Sequence, residues 1–168
     1  MLFMDYAPKI GDIAGWFQVY FKNYIPVLVL LVLLGIATYT DIKERKIKNW
    51  LNLLIVIARA AFIPLMGISY HNILGAAFLF GLFLAIAVIR DESMAGDIKC
   101  VGAFGFYLGL TNAVIVLFGA MIIALIFSII RRLLKKDKYF PLAPFFLFSY
   151  AGIAGVYYIY DAVALVAG

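Results

Sequence analysis

The chain has little with which to build a disulfide framework or a metal cage. It holds one cysteine, Cys100, and one histidine, His71, in 168 residues. A single cysteine excludes an internal disulfide and any multi-cysteine zinc site. Charge is scarce as well, at 14% of residues, where an average soluble domain carries about 25%. Apolar residues take the space: 67% of the chain is hydrophobic and the mean hydropathy is +1.07. A water-soluble fold of this length cannot hide so much apolar surface. The apolar residues also fall in runs long enough to cross a bilayer, which takes roughly 20 residues of helix. These absences and excesses together define an all-α integral membrane protein.

Six apolar blocks carry this reading, over 24–40, 50–66, 73–89, 98–110, 113–130 and 141–166. They predict about six transmembrane helices in a unit spanning 23–168. The fourth block is short. For it to span, the polar residues at its start must face the protein interior or a water-filled cavity. Ahead of the blocks, residues 1–22 place Ile10, Ile13, Ala14, Phe17 and Phe21 at helical spacing, with Asp12, Gln18 and Lys22 elsewhere. This pattern predicts an amphipathic helix in the membrane interface, anchored by Trp16 and Tyr20. A plain leader before the first span is the alternative. A cleaved secretory signal does not fit, since Asp5 and Asp12 fall early and no long apolar run precedes Tyr24. Glycines recur at Gly75, Gly81, Gly102, Gly105, Gly109, Gly152 and Gly155, as in helices that pack closely in lipid.

The net charge of +5 has a definite layout. With six alternating spans, one side of the membrane receives Lys43, Arg45, Lys46, Lys48, Arg90, Arg131, Arg132, Lys135, Lys136 and Lys138. The other receives Lys9 and Lys22. Basic residues confined to short connectors indicate membrane orientation rather than nucleic-acid binding, and they assign the basic side to the cytoplasm. The lipid bilayer is therefore an obligatory partner, and nucleic acid is not one.

Two aspartates stand at that same boundary. Asp41 ends the first block in Thr38-Tyr39-Thr40-Asp41, and Asp97 opens the fourth in Met94-Ala95-Gly96-Asp97-Ile98-Lys99. An acid at a span edge is costly to bury, so a bundle-facing pair calls for a functional explanation. Two carboxylates held close together share a proton. One then activates water as a general base while the protonated partner polarises a carbonyl. That chemistry hydrolyses a peptide bond with no metal or organic cofactor. Gly96 lets backbone approach closely beside the acid. The competing explanation is two helix terminators in the headgroup region, with Lys43, Arg45 and Lys46 neutralising Asp41.

Three segments narrow the choice. Asp41-Ile42-Lys43-Glu44-Arg45-Lys46-Ile47-Lys48-Asn49-Trp50-Leu51 resembles the stretch after the first catalytic aspartate of type IV prepilin peptidases. Gly96-Asp97-Ile98-Lys99 resembles the end of their Gly-x-Gly-Asp-x-Lys signature, and Phe140-Pro141-Leu142-Ala143-Pro144-Phe145 their late turn into the last helix. The order and spacing hold over about 24–168. The resemblance implies a GxGD-type membrane aspartyl protease with Asp41 and Asp97 as the catalytic pair and Gly96, Lys99 and Asn49 in support. It implies precursors of the prepilin or preflagellin kind, themselves membrane-inserted, as partners. A dimer is compatible with the sequence. The chain lacks the paired-cysteine segment of the larger bacterial enzymes and so is similar to the short, peptidase-only form. It departs from the family pattern at Lys48, where proline is usual, and at Met94, in place of the first glycine of the signature. The Met94 departure keeps open a catalytically inactive paralogue, or a non-enzymatic membrane protein of assembly or transport.

The remaining polar residues are read as support. Arg59, inside the second block, either meets an acid in the bundle or snorkels to the interface. His71 is expected in a solvated outer loop, Asp161 near the interface, and Cys100 as a small packing residue. Asp91 and Glu92 are loop charges.

Overall fold

The computed structural model describes residues 23–44, 47–90, 95–133 and 142–167. The expected interfacial helix over 1–22 lies outside these residues, as do Arg45, Lys46, Asp91, Glu92 and Met94. Every described element is helical: α1 (Tyr24–Glu44), α2 (Asn49–Ala61), a short α3 (Ile63–Met66), α4 (Tyr70–Arg90), α5 (Ala95–Leu108), α6 (Leu110–Leu133) and α7 (Ala143–Ala167).

Four of them, α1, α4, α6 and α7, are long and apolar enough to cross a membrane. The other two expected spans are shorter. At 13 and 14 residues, α2 and α5 reach about 20 Å. The block expected to run unbroken over 50–66 divides at Phe62, because Pro64 cannot continue a helix begun upstream and re-starts the chain as α3. Gly67, at φ 66°, then closes α3.

The shortness of α5 is explained by its place. It is the central helix, packed against α2, α4 and α6. Ile98, Cys100, Val101, Phe104, Tyr107 and Leu108 are all buried. A helix apolar all round belongs in an interior. The outer helices show the converse. Along α6, Phe118, Met121, Ile122, Leu125, Ile126 and Ile129 are exposed, and only 22% of its most apolar stretch is buried. Large aliphatic side chains facing outward on several helices are what a lipid environment requires.

Small residues set the closest helix contact. A Cβ on Gly75 or Gly105 would strike the backbone of the other, so α4 and α5 cross backbone to backbone. Gly102 packs against Phe80 in the same seam. Gly81, Gly152 and Gly155 serve no such contact, since a Cβ at each would meet open space. The turn between α5 and α6 also differs from expectation. The break falls at Gly109, at φ 77°, whereas the sequence suggested Thr111-Asn112. Glycine alone reaches that angle without strain. Asn112 lies inside α6, buried, and its amide donates to the Leu108 carbonyl at the end of α5. Hydroxyls tie helices together: Tyr107 of α5 donates to the Pro26 carbonyl of α1 at 2.8 Å, and Ser149 of α7 to that of Val116 of α6 at 2.7 Å.

Candidate active site

At one end of the bundle, α1 extends a turn beyond its expected limit, to Glu44. Asp41 is therefore a helical residue of the last turn of α1, only 4% exposed. Its carboxylate accepts a hydrogen bond from the Ala143 backbone N–H at 3.0 Å. Ala143 is the first residue of α7 and Pro144 the second. The positive, unsatisfied N–H end of a helix is a natural seat for an anion. The late turn expected to lead into the last helix is thus followed, at Ala143, by the helix whose first N–H holds Asp41. The signal was present in the proline at the second helical position; its target was not.

Asp97 sits in the first turn of α5, ahead of the apolar run that begins at Ile98, and is partly buried. Burial raises its pKa above the ordinary carboxylate value, and the charge of Asp41 raises it further. The fold thus brings Asp97 within the electrostatic reach of an acid 56 positions away in sequence. Cys100, buried one turn after Asp97, lies in the field of both. It packs with Ala37, Ile47, Leu51 and Ala143, a cluster of small and aliphatic side chains drawn from α1, α2, α5, α7 and the segment before α2. Its role is packing, as expected.

The flanking positions explain how the acids approach. A Cβ on Gly96 would stand 3.3 Å from the Ile47 carbonyl oxygen, so the start of α5 passes close under the segment leading into α2. Lys48 lies in that segment, at φ −72° and ψ 135°. Proline takes the same φ, so its replacement by lysine leaves the backbone path unchanged. Lys48 pairs with Glu44 at 2.9 Å on the surface. Asn49 is exposed at the start of α2. Lys99 is exposed, two residues beyond Asp97 and so turned to another face of α5. Gly96 is thus at the carboxylate pair, whereas Asn49 and Lys99 flank it. Among the described residues no group of His, Cys, Asp and Glu is arranged to hold a metal ion.

A second polar cluster occupies the opposite end of α2. Arg59 is buried and donates to the Gly67 carbonyl at 2.7 Å, so it does not snorkel. Asn72 Oδ1 accepts from the Ser69 N–H at 3.0 Å, and its amide nitrogen donates to the Phe106 carbonyl at 2.9 Å. His71 belongs to this end. Contrary to the solvated loop expected of it, it lies in the first turn of α4 and is only 9% exposed. The connector before it is so short that the helix begins at Tyr70 and draws the imidazole inside.

Fold and site together define a multi-pass helical membrane protein in which Asp97 lies within the electrostatic reach of Asp41 at one end of the bundle. Residues 28–129, more than half of the chain and including both aspartates, match the type IV leader peptidase family. The chain belongs to that family, and its function is of the leader-peptidase kind. No curated protein and no solved structure matches it.

Proposed function

We propose that the protein is a membrane-embedded aspartyl endopeptidase that removes the short leader of prepilin-like or preflagellin-like precursors. The placing of Asp97 within the electrostatic reach of Asp41, in a leader-peptidase chain, carries the proposal. Asp41, seated on the N-terminus of α7, is the carboxylate that takes a proton from the attacking water. Asp97, whose ionisation is opposed by burial and by Asp41, holds the proton that polarises the scissile carbonyl. Gly96 lets the Ile47 segment pass close beside the start of α5 and so supports the site. No metal or organic cofactor enters this chemistry.

The six apolar blocks act as spans in this proposal, and the basic connectors set the aspartate end at the cytoplasmic face of the cell membrane. That is where a basic leader, too charged to cross, stays while the apolar helix behind it inserts. Cleavage of a prepilin-like precursor by the reconstituted protein, beside Asp41→Ala and Asp97→Ala, tests the reading. The parent cuts and both variants are silent. Cleavage surviving either substitution refutes the pair.

Met94 favours a second reading, a scaffold that has lost catalysis at one position. A silent parent with a cutting Met94→Gly variant establishes it. Silence from both, across archaeal and bacterial leaders, moves the assignment to a non-catalytic membrane role.

A further inference from the structure

Beside the aspartate end, α2, α4 and α5 enclose an open groove of about 560 Å³. Its floor is made of small residues, Ala76 and Ala77 from α4 and Gly102 from α5, and its walls include Val56 and Phe80. Small residues in lipid let a helix backbone come close. An acyl chain also fits an apolar groove, so the floor does not identify the occupant. Asn52 does.

Asn52 lines the groove from α2 and is only 6% exposed. Neither atom of its side-chain amide has a hydrogen-bond partner among the described residues. An unmet amide in apolar surroundings is destabilising, and buried polar groups are as a rule met by a hydrogen-bonding partner. A lipid tail has nothing to offer it. A peptide offers both a donor and an acceptor, most readily at the start of a helix, where the first four N–H groups have no partner within the helix.

The position of Asn52 adds a direction. Its neighbour Leu51 packs with Cys100 and Ala143 in the cluster beside the acids. The polar end of the groove is thus level with the carboxylate pair, and the groove runs from there along α2 and α5. A helix lying in it with its N-terminus at Asn52 would deliver the residues just before that helix to Asp41 and Asp97.

We propose that this groove receives the apolar helix of the precursor, with the Asn52 amide pairing with the backbone of its first turn. The proposal rests on the leader-peptidase reading, and its test separates the two. The Asp97→Asn chain, in phospholipid vesicles, carries photoreactive benzoylphenylalanine at Leu53 or Ala77 in the groove, or at Phe118 or Ile129 on the outer face of α6. The probe is a prepilin-like precursor. Crosslinks to the precursor from the two groove positions and not from α6 are expected. Crosslinks to lipid alone at the groove overturn the proposal, while cleavage by the parent leaves the peptidase reading standing. A parent that cuts nothing refutes the peptidase reading, and the crosslinks still decide the groove.

Asn52→Leu supplies a second measurement. Its thermal midpoint is expected to equal or exceed the parent's, because an unmet amide is gone. Its kcat/KM should fall about three- to tenfold, chiefly through KM, as loss of one hydrogen bond predicts. A stabilised variant with unchanged kcat/KM makes Asn52 a residue of the fold alone and overturns its assigned role.

Discussion

The two ends of the bundle both bury polar groups, yet they use them oppositely. Around Arg59 a guanidinium meets a carbonyl, and Asn72 joins the α3–α4 turn to the backbone of α5. Donors face acceptors, and the result is a clamp on three helices. Around Asp41 two acids of the same charge sign are held near each other beneath small side chains, Ala37, Cys100 and Ala143. The Ala143 N–H answers Asp41, while the charge of Asp41 opposes ionisation of Asp97. The difference teaches which end is built for stability and which retains an unfavourable arrangement that chemistry can use.

The comparison breaks most sharply under substitution of the acids. Asp97→Asn should reduce cleavage by about 10³-fold, the range for loss of a positioned proton donor, with a thermal midpoint equal to or above the parent's. A cleaving but unstable Asp97→Asn protein would reverse the roles of the two ends. The proton can be followed directly. Because the pKa of Asp97 is raised, its infrared carboxylic-acid band should persist to higher pH than that of an ordinary aspartate and vanish as pH rises. In Asp41→Asn, where one cause of the shift is removed, the band should vanish at lower pH.

Arg59→Leu tests the other end. Losing a charged donor to a buried carbonyl should cost about 3 kcal/mol in denaturant unfolding, while the folded fraction still cleaves. Gly105→Ala drives a methyl into the Gly75 backbone, and overpacking of this kind costs about 2 kcal/mol. The smallest effect is expected at Glu44→Gln, which removes an exposed pair with Lys48. Such surface pairs contribute below about 0.5 kcal/mol, so a larger loss would mean that the loop bearing Lys48 depends on its charge.

Much of this was legible in the chain before folding. Uninterrupted apolar runs have one physical outcome in lipid, since every backbone group must be bonded internally. Helices over α1, α4, α6 and α7 followed from that alone. The motifs around Asp41 and Asp97 pointed to the acids, because residue type and local spacing are properties of sequence. Local pattern failed where a long-range partner decided the outcome. His71, between two apolar blocks, was read as a residue of the outer connector, yet packing buried it in α4. Thr111-Asn112 read as a connector, yet Gly109, free to take a positive φ, made the turn one residue long.

The sequence by itself determined a helical membrane protein with two acids at the ends of apolar blocks and glycines where backbones could meet. Only the tertiary structure decided that Asp41 receives the first N–H of α7, that Asp97 comes within its electrostatic reach, and that Asn52 lines an apolar groove with no partner among the described residues. Each of these relations joins residues far apart in the chain. Their energies depend on distance and burial, which exist only once the helices have packed.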